Sequence, residues 1–276
     1  QLVFEDALFH IVAHMIRTTR STRLVVTGGT RLNCVANMRL LERFDTDWYG
    51  RNLNMNDARL HLWVPPMPGD AGVAIGAAYH FACLAGALPG ESLQHAFYCG
   101  LPPTQADIEK ALNQVGEIGY LRLGNVSTVT ERDRIADLLA YLIARDAVVG
   151  IYQDVAETGP RALGHRSILA DPTKEKTRAI LNERVKLREL IRPLAPMVTP
   201  EAARKWFDLS PGASDDDYNA YNYMVLTCRA KSEAHAKIPA VIHFDGTCRL
   251  QIVRERLNPL IYAYLKAMGR HVGVEV

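Results

Sequence analysis

Residues Arg23–Thr27 form a short apolar run that stops at Gly28-Gly29 and passes directly into a helix-period pattern over residues 32–44. Glycine makes so abrupt a turn at little steric cost, so the order predicts a strand, a glycine turn and a helix. A second unit follows. His61–Val64 reads as a strand, Pro65-Pro-Met-Pro-Gly-Asp70 as a rigid loop, and Ala71–Leu88 as a helix dense in Ala and Gly. The fold class expected is α/β.

The remaining pattern extends this reading. Residues 1–20 place Phe4, Leu8, Ile11, Val12 and Met15 on one helical face. Turn signals at Pro89-Gly90 and Pro102-Pro103, with a helix over Asp107–Val115, mark a connection. Arg132–Arg145 is an amphipathic helix, and Ala147–Tyr152 a strand. Beyond them come a Ser210–Tyr223 loop rich in Asp, strands around Met224–Cys228 and Leu250–Val253, and a helix over Asn258–Met268. His271–Val276 reads as the start of another strand.

At 276 residues and 48% hydrophobic content, the chain can bury one large core or two ordinary ones. A formal net charge of +2 favours neither nucleic acid nor membrane as the main partner. No apolar run reaches the length of about 18 residues that a spanning helix needs. The five cysteines form no C-x-x-C pair and their number is odd. That argues against a disulfide framework or structural zinc and fits a reducing cytoplasm. The chain begins at Gln1 rather than Met and shows no secretory signal.

Four features carry chemistry. The Gly28-Gly29 turn lets backbone approach a phosphate at a helix N-terminus, and Asn33 adds an amide; the alternative is a tight turn with no ligand. Asp70 opens a helix, where it either caps the first turn or supplies one oxygen to a metal. Between Arg161 and Arg192 stand nine Lys or Arg against four Asp or Glu, a local excess of five positive charges. Arg161, Arg166, Lys186, Arg188 and Arg192 are interleaved with turn formers instead of following i, i+4 pairing. Guanidinium groups fork onto phosphate oxygens, so the segment reads as an anion pocket; the alternative is a solvated surface paired with Asp171, Glu183 and Glu189. Asp245-Gly246 favours a hairpin turn, beyond which Arg249 and Gln251 share one strand face.

Five stretches together resemble the carbamoyltransferase family of nodulation-factor and antibiotic O-carbamoyltransferases. They are Gly28-Gly-Thr-Arg-Leu-Asn-Cys-Val-Ala-Asn37, Pro66-Met-Pro-Gly-Asp-Ala-Gly-Val-Ala-Ile-Gly76, Glu157-Thr-Gly-Pro-Arg-Ala-Leu-Gly-His-Arg-Ser-Ile-Leu-Ala-Asp-Pro172, Arg188-Glu-Leu-Ile-Arg-Pro-Leu-Ala-Pro196 and His243-Phe-Asp-Gly-Thr-Cys-Arg249. The resemblance implies the second half of an actin-like ATPase domain, like the threonylcarbamoyl-transfer protein, over residues 1–100. A connection over 101–130 follows. Residues 131–276 then belong to an α/β domain like the threonylcarbamoyl-adenylate-forming protein, incomplete at its end.

In such enzymes carbamoyl phosphate and ATP give carbamoyl-adenylate, and the carbamoyl group passes to a hydroxyl near iron or a similar divalent metal. Carried over by position, Arg161, Lys186 and Arg192 bind carbamoyl phosphate and nucleotide phosphates, assisted by Arg166, Arg188 and Arg249. Gly28, Gly29 and Asn33 match the nucleotide-contacting turn, and Asp70 the metal-ligand aspartate. The family's His-His-x-x-His-type and Asn-Thr-Ser-Phe-Asn-type motifs are not found in the chain. Two functional readings follow. One is an enzyme portion acting on a glycan such as a nodulation lipo-chitooligosaccharide, or on an antibiotic. The other is a non-catalytic nucleotide- or anion-binding module that works with a second chain.

Overall fold

The computed structural model describes residues 1–87, 98–116, 119–214 and 219–276. Its opening helix, Leu2–Thr19, ends where Arg20 turns left-handed at φ 54°. The first strand, Arg23–Val25, pairs in parallel with His61–Trp63, in the register Arg23 to His61 and Val25 to Trp63. Between them Gly29–Leu32 makes a single 3-10 turn, and Cys34–Arg43 forms the helix. That helix starts at Asn33 because its side chain accepts from the Ala36 N–H at 3.1 Å. Such a cap stabilises a helix start by roughly 1 kcal/mol. A further helix, Thr46–Leu53, was not anticipated; Asp45 caps it from the Trp48 N–H at 2.9 Å, and left-handed Asn54 ends it.

The architecture is mixed α/β, with helices around small sheets of two or three strands. Tyr98–Cys99 runs antiparallel to Ala156–Glu157, and Val149–Tyr152 antiparallel to Arg166–Leu169. Phe207–Asp208, Thr227–Ala230 and Thr247–Arg249 make the three-stranded sheet. Gln251–Ile252 instead pairs in parallel with Met197–Val198. Arg249 and Gln251 therefore belong to different sheets, which departs from the single strand expected.

One core joins both ends of the chain. Leu8, Val12, Ile16, Leu40, Phe44 and Tyr49 pack in the same cluster as Trp206, Phe207, Tyr221, Leu226 and Leu250. A second cluster forms where Val129–Ala144 crosses Pro259–Val272, with Ile135, Ala140 and Ile143 against Ile261, Leu265 and Met268.

The expected strand over His271–Val276 does not form. The helix continues to Val272, and Gly273 turns left-handed at φ 80° with its N–H on the Gly269 carbonyl. Val274 and Val276 then enter the first core, while Glu275 takes the Thr199 hydroxyl at 2.6 Å and Lys266 Nζ at 2.5 Å. Part of the Ser210–Tyr223 loop is regular, with helical turns at Pro211–Ser214 and Ala220–Tyr223; residues 215–218 lie outside the described residues. The Pro89-Gly90 turn lies outside them too.

Among the described residues, two α-helices contribute no buried side chain. One is Gln105–Val115, held by a Thr104–Asp107 capping box. The other is Val73–Leu84, in which no residue is charged, yet Val73 is 68% exposed and Phe81 76% exposed. Among the described residues no helix is long and apolar enough to cross a membrane. All five cysteines are free.

Candidate anion and nucleotide site

Two loops and one strand end build the site. The first loop, residues 158–166, folds around the carboxylate of Glu157. Its Oε1 accepts from the Leu163 N–H at 2.7 Å and the His165 N–H at 3.1 Å, and its Oε2 from the Arg166 N–H at 3.0 Å. Buried Gln251 adds a 2.7 Å bond from Nε2 to the Leu163 carbonyl. The His165 ring stacks on Tyr98 at 3.7 Å and contacts the Val155 carbonyl through Nδ1. These contacts fix the backbone on either side of Arg161.

The second loop, residues 186–193, leaves a π-helical turn at Leu181–Val185. Arg188 is held there by Nε on the Asn182 Oδ1 at 2.8 Å and by Nη2 on the Pro193 carbonyl at 3.3 Å. The third component is Arg249, at the end of a strand whose start is set by the Asp245-Gly246 turn. Asp245 Oδ1 accepts from the Thr247 N–H at 3.0 Å and its hydroxyl at 2.7 Å.

The electrostatics connect these pieces. Burial lowers the Arg249 pKa most, and Arg161 then Arg188 push it further down, while Cys34 opposes the shift. Arg188 is lowered by burial and then by Arg192, and Lys186 by desolvation and then by Arg188. Arg161, Arg249, Arg188, Arg192 and Lys186 therefore form one run of mutually repelling cations. The usual remedy is a carboxylate; Glu189 offsets the lowering at Arg188 only in part, and two other local acids are committed elsewhere. Asp171 pairs with Lys174, and Asp146 with both Lys174 and Lys176. Among the described residues none of the five cations forms an ion pair. Among the described residues, the buried Nε atoms of Arg161 and Arg249 find no hydrogen-bond partner. Unpaired, half-desolvated guanidinium groups are what a polyanion satisfies best.

Arg166 is used differently. Its Nη1 donates to the Gln153 and His165 carbonyls, and its guanidinium lies 3.5 Å over the Tyr152 ring. The local fold already occupies this side chain.

The glycine turn lies at the same seam. Gly28 adopts φ 97°, open to glycine, and its N–H donates to the Pro68 carbonyl at 2.6 Å. The Pro65–Gly72 loop in turn reaches the first basic loop, where Met67 Cγ lies 3.1 Å from the Cβ position of Gly159. Arg249, facing Cys34, touches the first turn of the helix that follows the glycines. Asn33 has its Oδ1 committed to capping that helix, and its Nδ2 donates to Gln1 at 2.9 Å. A groove of about 470 Å³ runs along Gly28, Met67, Asp70, Val73 and Tyr79.

Asp70 is exposed and begins a 3-10 turn whose cap is Gly69, with no side-chain capping bond. The capping alternative therefore does not describe it. Among the described residues no group of three His, Cys, Asp or Glu is placed to hold a metal. One carboxylate is too few donors for iron or zinc, so this donor set does not fit such an ion by itself.

Sequence reasoning did not single out Asn182, Arg178 or the bracing role of Glu157. Asn182 carries one weak signal, an amide between Leu181 and Glu183 inside an otherwise helical stretch. Arg178 donates to the Ile242 carbonyl at 3.4 Å and stands near His243.

Comparison with known proteins gives two family matches. The model described as carbamoyltransferase N-terminus matches residues 1–79, and that described as carbamoyltransferase C-terminus matches residues 140–276. The chain belongs to the carbamoyltransferase family. It is 32% identical over 277 residues to nodulation protein NolNO of Sinorhizobium fredii, covering 100% of this chain and 37% of that protein. To nodulation protein NolO of Bradyrhizobium diazoefficiens it is 32% identical over 279 residues, covering 100% and 46%. Nodulation protein U of Rhizobium tropici is 34% identical over 252 residues, covering 89% and 36%. The chain thus spans about two fifths of the length of the curated relatives it matches.

Proposed function

We propose that this chain is the carbamoyl-phosphate- and nucleotide-handling portion of an ATP-dependent O-carbamoyltransferase. The observation that carries the reading is the run of five cations, Arg161, Lys186, Arg188, Arg192 and Arg249, with no carboxylate paired to it among the described residues. Carbamoyl phosphate and ATP are both polyanions, and bringing them together needs fixed positive groups that offset their repulsion.

The chemistry proposed here runs through carbamate. Water releases phosphate from carbamoyl phosphate and leaves carbamate. A carbamate oxygen attacks the α-phosphorus of ATP, and pyrophosphate leaves. The carbamoyl-adenylate then gives its carbamoyl carbon to an acceptor hydroxyl, whose proton is lost, and AMP leaves. Arg161, Lys186 and Arg192 hold the acyl phosphate and the departing pyrophosphate. Arg188 and Arg249 extend the cradle, and Arg166 braces the loop that carries Arg161.

In this reading residues 1–100 are the second half of an actin-like ATPase domain, and residues 131–276 the adenylate-forming domain. The Gly28-Gly29 turn contacts nucleotide in the transfer domain. The acceptor is a hydroxyl on a sugar-containing molecule, first a nodulation-type lipo-chitooligosaccharide and second an antibiotic. In a complete enzyme Asp70 would supply one oxygen to a divalent metal, whose remaining ligands the described residues do not provide. Five free cysteines fit a cytoplasmic enzyme.

A second reading has its own support. The uncharged, largely exposed Val73–Leu84 helix, with Val73, Phe81 and Leu84 open to solvent, favours a non-catalytic nucleotide- or anion-binding module that acts only as a partner subunit. One assay separates the two. Carbamoyl-phosphate-dependent ATP–pyrophosphate exchange is measured with this chain alone, and again with the rest of a carbamoyltransferase supplied. Exchange by this chain alone supports the enzyme reading, exchange only with the rest supplied supports the partner-subunit reading, and its absence from both overturns the enzyme reading.

A further inference from the structure

Nothing apolar anchors the 186–193 loop. Leu187 is 81% exposed and Ile191 86% exposed, and Leu190 is exposed as well. Leu187 also adopts φ 46°, a left-handed backbone that a branched residue disfavours. The loop nevertheless carries three of the five cations. Its main side-chain anchor among the described residues is one buried amide. Asn182 has no solvent exposure; its Nδ2 donates to the Arg192 carbonyl at 2.8 Å and the Leu190 carbonyl at 3.2 Å. Its Oδ1 accepts from Arg188 Nε at 2.8 Å, and its backbone carbonyl from the Arg188 N–H at 2.9 Å.

We infer that Asn182 is a positioning residue for the anion site: by tying down the loop backbone around Arg188 and holding its Nε, it orients Arg188 toward the bound phosphate groups. The inference rests on the anion-binding reading above. The side chain must donate and accept at once. Aspartate keeps the acceptor, loses both donors and adds a charge that pairs with Arg188; leucine offers neither. Arg188 spends Nε on Asn182 and Nη2 on the Pro193 carbonyl, and among the described residues nothing takes its Nη1, which is open to a phosphate oxygen. The π-helical turn at Leu181–Val185 is the wide turn from which the amide reaches three points of the loop.

The test is a double-mutant cycle read by inorganic pyrophosphate binding to the 276-residue chain. Asn182→Ser and Arg188→Ala each weaken binding by about tenfold, and the double variant binds no more weakly than Arg188→Ala alone, because Asn182 acts through Arg188. Asn182→Asp preserves size should the serine variant unfold, and it too binds pyrophosphate about tenfold more weakly with its circular dichroism unchanged. Losses that multiply in the double variant, or unchanged binding in Asn182→Asp, overturn the assignment while leaving the anion site standing. A wild-type chain that fails to bind pyrophosphate overturns the site itself, and the assignment with it.

Discussion

Glu157 accepts a 2.7 Å hydrogen bond from the backbone N–H of Leu163, and the same carboxylate takes the N–H groups of His165 and Arg166. One side chain thus replaces the secondary structure that a turn of this shape lacks. Glu157→Ala removes three acceptor contacts and leaves amides unpaired in a half-buried loop. We expect a loss of roughly 2–4 kcal/mol and a melting temperature lower by roughly 5–10 °C. Glu157→Gln keeps one acceptor oxygen and falls between. A melting curve of Glu157→Ala that overlays the wild type removes the bracing role.

The five clustered cations repel one another, so their sum should cost stability until an anion arrives. Arg161→Gln relieves pressure on Arg249 and is expected to leave the ligand-free melting temperature unchanged or higher. Pyrophosphate at millimolar concentration should raise the wild-type melting temperature by mass action. That rise should shrink in Arg161→Gln and Arg249→Ala, with chloride at matched ionic strength as the control. Equal stabilisation of all three proteins means that pyrophosphate binds elsewhere.

His243 gives the site a pH dependence. Burial lowers its pKa most; Arg249 and Arg178 lower it further, while Asp245 and the Leu194 carbonyl oppose them. The unfolded chain therefore takes up a proton at the ordinary histidine value, near 6.5, while the folded chain resists it. Stability contributed by neutral His243 is complete above about pH 6.5 and declines as the pH falls below it. Denaturant titrations between pH 7.5 and 5.5 should show that decline, and His243→Gln should flatten it. Parallel slopes in the two proteins would count against the assignment.

The local patterns were legible, and the long-range pairings were not. The Gly28-Gly29 turn, the opening helix and the amphipathic helix near Arg132 follow from spacing and composition, and the structure keeps them within a few residues. The Thr46–Leu53 helix escaped notice because Trp48, Tyr49 and Leu53 give too short an apolar face, while its Asp45 cap resembles a loop residue. The strand expected at His271–Val276 has the right alternation, but Gly273 caps the preceding helix, and a terminal segment buried by its valines needs no partner strand. The basic segment announced its charge excess. Which cations stay unpaired depended on Asp146 and Asp171 reaching Lys174 and Lys176, contacts that no sequence periodicity records. Arg166 shows the reverse, since an arginine inside the densest motif serves the loop's own carbonyls.

The two-site mechanism makes its sharpest demand on Lys186 and Asp70, which lie on different loops at opposite ends of the proposed chemistry. In an assembled carbamoyltransferase containing this chain, Lys186→Ala should abolish carbamoyl-phosphate-dependent ATP–pyrophosphate exchange while the protein stays folded. Lys186 is exposed in the ligand-free chain, and losing its charge-assisted hydrogen bond to a bound phosphate costs roughly 1.5–3 kcal/mol, about 10- to 150-fold in rate. Asp70 stands in the Pro65–Gly72 loop, where Met67 O approaches within 2.3 Å of a Cβ built on Gly72, so the backbone is tightly constrained. Asp70→Ala exposes no new core surface and should spare both stability and exchange. It should block transfer to the acceptor hydroxyl, so that carbamoyl-adenylate forms but no carbamoylated product appears. Both half-reactions are followed in one preparation, by labelled pyrophosphate and by mass spectrometry of the acceptor. Equal loss of both in folded Asp70→Ala protein would mean that adenylation and transfer share a single site.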